Sequence, residues 1–178
     1  MTPACPLATV LYRFDDAARF PIFESYTTAK GPVTVQADRD DAGDFIRIVY
    51  QRHEADPDEV DIVLALPLVA VGCCRSAAEA RAEVAVKRQL LLDVLGDASG
   101  CHLHLEGMDT SGSLLALSFG IVDFDGWRTL RADASKLVPP VQFHRLRLTT
   151  APSSHAVRLG VRSLSLTGEV RVVTAGIT

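Results

Sequence analysis

Aromatic residues are scarce in this chain: Phe, Trp and Tyr make up 6% of its 178 positions, and there is a single tryptophan. Binders of single-stranded nucleic acid depend on rows of stacking rings beside basic residues. Here the basic residues are not interleaved with rings and the net charge is −4, so no nucleic-acid partner is expected. No apolar run reaches the roughly 18 residues of a helical membrane span. The first residues, MTPACPLATVLYRF, lack the charged region and apolar core of a secretory leader. The expected location is therefore cytoplasmic if the chain is complete, and extracellular or periplasmic if it is a module cut from a longer precursor. Neither a nucleophile-elbow nor a zinc-hydrolase pattern occurs, so the chain is not expected to be an enzyme. No internal repeat or low-complexity tract is evident.

Cysteine is also sparse. Cys5, Cys73, Cys74 and Cys101 show no zinc-type spacing, and two adjacent thiols are a poor start for a disulfide framework. They read as small buried or loop thiols, with a bridge from Cys5 to Cys73 or Cys74 as the alternative. Charge is unevenly spread: up to Trp127 there are 10 Lys/Arg against 20 Asp/Glu, and from Arg128 onward 8 against 2. In a β-sandwich late strands interleave with early ones, so this asymmetry need not become two faces of opposite sign.

What the chain has is short alternating runs between Asp-, Ser- and Gly-rich breaks. The central stretch, Leu90 to Asp133, is broken at Gly96–Gly100, Asp109–Gly112 and Asp123–Gly126, which reads as an antiparallel meander. Before it come Val10–Phe14, Val33–Val35 and Phe45–Tyr50 as strands. Phe20, Ile22, Phe23 and Tyr26 lie in a Pro-interrupted stretch that reads as an edge or a loop over the core. Asp61–Val71 is apolar on both faces and reads as a buried strand split near Pro67. Helical character is confined to Ser76–Glu83, one or two turns with Ser76 and Glu79 as a capping box. Trp127–Ala132, Gln142–Thr149 and Val157–Leu166 complete the set, with Glu169–Val173 as a continuation. Eight or nine short strands with regular turn signals predict an all-β antiparallel sandwich with at most one short helix. One domain is expected over 8–173, with 1–7 as a tail. Leu92, Val94, Leu103, Leu105, Trp127, Leu146, Leu148, Leu159 and Val161 are the expected core.

Strand parity also singles out a polar face. His102, His104 and Glu106 alternate with Leu103 and Leu105 and so project from one side, and Asp93 on the preceding run is placed on the same face. Arg145 and Arg147 form a similar stripe later. Such a face is either a solvated β surface or a ligand surface. Two histidines two residues apart, with Glu106 and Asp93 nearby, also have the chemistry of a transition-metal chelate. Trp127 reads either as a lid on the core or as an aromatic platform for a ligand.

Four features together resemble the galactose-binding-like jelly roll shared by many carbohydrate-binding modules. They are Leu11–Asp15 (LYRFD), Phe45–Tyr50 (FIRIVY) after an Asp/Gly turn, Leu92–Gly100 (LDVLGDASG), and the D-x-x-G and Phe-Asp-Gly-Trp elements of Asp109–Trp127. A similar pattern occurs in flagellar filament outer-layer proteins and complex I intermediate-associated proteins. The resemblance spans most of residues 8 to 168 and implies a jelly roll. It further implies a non-catalytic module that binds carbohydrate on one broad sheet face, here through Asp93, His102, His104, Glu106, Arg145 and Arg147, as an appendage of a larger or secreted protein. The alternative is an assembly module that uses the same face or an edge strand against a protein partner, with oligomers possible. Relatives often hold a structural calcium ion near the first strand, which places Asp15, Asp16, Asp40 and Asp41 as its carboxylates; otherwise no cofactor is expected.

Overall fold

A computed structural model describes residues 9–72, 89–109, 111–134, 141–152, 154, 156–167 and 171–173. Among them are eleven strands: β1 (Thr9–Arg13), β2 (Val33–Asp40), β3 (Gly43–Gln51), β4 (Asp61–Gly72), β5 (Gln89–Asp97), β6 (Cys101–Asp109), β7 (Leu114–Val122), β8 (Asp125–Asp133), β9 (Val141–Thr149), β10 (Ala156–Leu166) and β11 (Arg171–Val173). Two 3-10 turns, Ala17–Arg19 and Glu24–Tyr26, are the helical elements of the described residues. The short helix expected at Ser76–Glu83 lies outside the described residues, as do Cys5, Cys73 and Cys74. Cys101 is a free, buried thiol.

The antiparallel pairs are nested: β6 with β7, β5 with β8, β4 with β9, and β3 with β10. A long hairpin folded over on itself produces this order, which is the jelly roll the alternating runs predicted. One sheet runs β2-β3-β10-β5-β8, with β1 also on β10, and the other runs β11-β4-β9-β6-β7.

The central stretch is therefore not a simple meander. Only β6 and β7 form a hairpin; the chain enters that pair from the six-stranded sheet through residues 97–101 and returns through 122–125. The two crossovers run side by side, with Ala98 N–H donating to Phe124 O at 2.9 Å and Gly100 N–H to Val122 O at 2.9 Å. Gly96 is required at this approach, because a Cβ there would stand 2.2 Å from Phe124 O.

Between the sheets lies one apolar core. Leu92, Val94, Leu103, Leu105, Leu146, Leu148, Leu159 and Val161 are all buried, as alternation required. Phe14 and Phe20 join it with ring centroids 4.5 Å apart, and Tyr12 packs against both.

Trp127 departs from the expected core. It sits on the outer side of the six-stranded sheet, opposite Leu95 and half-buried. Its ring lies 3.9 Å beneath the Arg162 guanidinium and meets Phe45 edge-on at 5.1 Å. Its indole N–H donates to Asp40 Oδ2 at 2.7 Å. On β8 the inward parity belongs to Leu130 and Ala132, so Trp127 clamps the β2–β3 turn onto the sheet from outside.

The β3–β4 connection is organised by the Asp56 carboxylate, which accepts from Tyr50 Oη and from the backbone N–H groups of Lys30 and His53. Burial works against its charge, but these hydrogen bonds and one from Gly31 N–H hold the carboxyl at about 2. A folded-state value below the unfolded one stabilises the fold above the ordinary Asp range near pH 4 and ceases to do so as pH falls through about 2. Urea midpoints are expected to drop between pH 5 and pH 2.5, and Asp56→Asn should flatten that dependence. An equally steep drop in the variant would remove Asp56 as its source.

Candidate functional site

On the outer face of the five-stranded sheet, the strand register builds a polar grid. Reading across β4, β9, β6 and β7, one row is Asp61, Thr149, His102 and Ile121. The next is Val63, Arg147, His104 and Ser118, and the third is Ala65, Arg145, Glu106 and Ala116. The expected residues His102, His104, Glu106, Arg145 and Arg147 thus occupy adjacent positions of one face.

Glu106 is the hinge of its electrostatics. It accepts from Arg147 Nε at 2.6 Å and lies 3.0 Å from Arg145 Nε as an ion pair. The Arg145 Nε–H is not aimed at that oxygen and makes no hydrogen bond, so the second contact is the weaker. Arg147 also donates through Nη1 to Asp61 Oδ2 at 2.9 Å, and Thr149 Oγ1 donates to Asp61 Oδ1 at 2.7 Å. The hydrogen bond to Glu106, together with both carboxylates, raises the Arg147 guanidinium above its ordinary value. Two cations and two anions therefore form a closed, net-neutral set that holds the donors rigid.

Beside it His102 and His104 stand ring to ring, centroids 4.0 Å apart at 40°. His102 Nε2 is hydrogen-bonded to Ser118 Oγ at 2.6 Å. Burial, then His102, pushes the His104 imidazole below its ordinary value, and Arg147 adds to this while Glu106 and Asp61 oppose it.

The aromatic partner of this face comes from a segment the sequence placed over the core. Residues 21–28 run along the β4 edge: Phe23 N–H donates to Val63 O at 2.7 Å, Thr28 N–H to Asp61 O at 2.9 Å, and Ala65 N–H to Pro21 O at 2.9 Å. Thr27 and Thr28 hydroxyls accept from Val63 N–H and Asp61 N–H in return. This docking leaves Tyr26 46% exposed and Phe23 36% exposed, rings 4.8 Å apart. The Arg145 guanidinium lies 4.1 Å from the centre of the Tyr26 ring, which joins the pair to the grid. The available signal was the Thr27-Thr28 pair after two spare rings: with Phe20 and Ile22 sufficient for the core, Phe23 and Tyr26 were free to face outward.

Asp93 does not belong to this face. It lies on β5, in the six-stranded sheet, where it accepts from Thr129 Oγ1 at 2.7 Å and Ser163 Oγ at 3.0 Å. Parity fixed its outward direction correctly, but the crossover after Asp97 put β6 in the other sheet.

Of the four Asp residues expected to hold calcium, two are engaged by protein partners. Asp16 caps the first 3-10 turn through Ala18 N–H. Asp40 receives Arg162, Trp127 and Ala42 N–H; burial alone would raise its carboxyl, yet these bonds hold it below its ordinary value. Asp15 and Asp41 are exposed. Among the described residues no three His, Cys, Asp or Glu side chains gather as a metal site. No helix among the described residues is long and apolar enough to cross a membrane.

No family model matches the chain. No curated protein matches it either. Solved structures do. A family 11 carbohydrate-binding module from Clostridium thermocellum, in complex with a β-1,3-1,4-mixed-linked tetrasaccharide, is similar with a TM-score of 0.58 at 10% identity, over 90% of this chain and 95% of that one. The family 11 module of a cellulosomal cellulase of Clostridium thermocellum gives 0.56 at 10% identity, over 93% and 97%. The enzymatically active domain of bacteriophage CBA120 tailspike protein 4 gives 0.57 at 8% identity, over 90% of this chain but 20% of that one. At these identities the likeness is one of fold, a jelly-roll β-sandwich.

Proposed function

We propose that this protein is a non-catalytic carbohydrate-binding module whose ligand lies across the outer face of the β4-β9-β6-β7 sheet. The observation that carries this reading is the exposed Tyr26 ring, braced by Arg145 at the margin of a rigid set of hydrogen-bonding side chains. An aromatic ring covers the apolar side of a sugar, while carboxylates, guanidinium and imidazole groups bond its hydroxyls. The fold likeness to modules of this kind, one of them holding a tetrasaccharide, supports it further. No nucleophile or general acid is needed for such a role. The protein is an appendage that brings a larger partner to a glycan, at an extracellular or periplasmic location.

Isothermal titration against glycans identified on an array tests this. Tyr26→Ala is expected to weaken binding at least about tenfold, close to 1.4 kcal/mol. The fold should be retained, because substitutions at exposed sites usually shift stability by only about 0.5 kcal/mol. His102→Ala combined with His104→Ala should weaken the same ligand. Unchanged affinity in both variants would move the site elsewhere. Absence of glycan binding together with a stable oligomer in light scattering would favour an assembly role. The uncharged outermost strand β7 offers a surface for that role, with Leu114 70% and Ile121 55% exposed.

A further inference from the structure

We infer that the ligand of this face is an acidic saccharide whose carboxylate docks across the His102–His104 pair with uptake of protons, so that acid strengthens its binding. The inference rests on the carbohydrate reading above and names the charge class and pH response of that ligand.

The two imidazoles are successive outward side chains of β6, with ring centroids 4.0 Å apart. Among the described residues the neighbouring side chains are these. β9 presents Thr149 opposite His102 and Arg147 opposite His104, and Arg145 lies one row further along. β7 presents Ile121 and Ser118. β4 contributes Asp61 beyond Thr149, and β6 itself contributes Glu106. Thr149, Ser118 and Ile121 carry no charge at any working pH. Both acids are already committed: Glu106 to Arg145 and Arg147, Asp61 to Arg147 and Thr149. Among the described residues no carboxylate forms an ion pair with either imidazole.

The charged side chains beside the pair are balanced, two guanidinium groups against two carboxylates. Acidification then adds positive charge to two touching rings beside Arg147, and the nearby carboxylates among the described residues, Glu106 and Asp61, are already held by Arg145, Arg147 and Thr149. In the free protein burial, then His102, lowers the His104 imidazole below its ordinary value, and Glu106 and Asp61 oppose this. A ligand carboxylate placed over the rings supplies the missing counter-charge. By linkage, a ligand that favours the protonated pair is itself bound more tightly as protons are supplied. A neutral sugar brings no counter-charge to the protonated pair and so lacks this gain.

The test is isothermal titration with two probes, trigalacturonic acid and a β-1,3-1,4-linked glucotetraose, at pH 7.5 and 5.5 in buffers of different ionisation enthalpy. For the acidic probe, affinity should rise at least about tenfold at the lower pH, with roughly one proton taken up per ligand bound. The neutral probe should show no such gain. In His102→Gln combined with His104→Gln, which keeps polar side chains on an exposed strand face, the acid-induced gain should vanish while circular dichroism is unchanged. Equal affinity of the acidic probe at both pH values, or a gain retained in the double variant, overturns the inference. Binding of the neutral probe alone, lost in Tyr26→Ala, overturns it too but leaves the carbohydrate reading standing. Binding of neither probe, with a negative glycan array, removes both.

Discussion

Leu103→Ala should lower the free energy of unfolding by about 2–5 kcal/mol, the range for emptying a fully buried leucine site. Leu103 is 0% exposed and lies mid-strand on β6, paired with Leu148 of β9 on one side and Gly120 of β7 on the other. Its side chain points between the sheets, where β6 is held by β9 on one side and β7 on the other and cannot collapse easily into the void. The urea midpoint should fall with an unchanged slope, since the surface exposed on unfolding is nearly the same. A loss below about 0.5 kcal/mol, the scale of exposed sites, would mean that β6 turns its other face to the core.

Gly107→Ala should cost about 1–3 kcal/mol by overpacking and, unlike the leucine variant, should damage the candidate site more than the fold. A Cβ at Gly107 would stand 2.5 Å from the Gln142 carbonyl oxygen and 3.1 Å from the Phe143 ring. The nearest obstacle is backbone, so β6 and β9 must part. They part where their register already shifts, with Glu106 opposite Arg145, Gly107 opposite Phe143, and His144 left as the extra residue. Moving that bulge displaces Arg145 from both Glu106 and Tyr26. Glycan affinity should therefore drop at least about tenfold while the Trp127 emission spectrum, reporting on the other sheet, stays native. Full affinity in a destabilised variant would show that Arg145 does not position the Tyr26 ring.

Much of this molecule was legible in its alternation. The inward placement of Leu92, Leu103, Leu146 and Leu159, and the outward placement of His102, His104, Glu106, Arg145 and Arg147, follow from two-residue periodicity within single strands. The Asp- and Gly-rich breaks marked where strands end. The misplacements have separate causes. Asp93 points outward as expected but in the opposite sheet, because β5 pairs with β8 and β10 whereas β6 pairs with β7 and β9. Trp127 was assigned to the core from its place after Gly126, yet its register opposite Leu95 turns it outward. Phe23 and Tyr26 belong to no long strand, so periodicity said nothing of where they dock.

The sequence by itself thus determined a β-sandwich, its buried rows and the side chains that leave the core. Only the tertiary structure decided which outward side chains share a face, and that an aromatic pair from residues 21–28 stands beside them. The physical reason is that parity is a local property of a strand, set by its own pleat. Sheet membership is set by hydrogen-bonded partners far along the chain, such as Ile48 with Leu159 or Leu64 with Leu146, and a crossover can change the sheet without disturbing the alternation on either side.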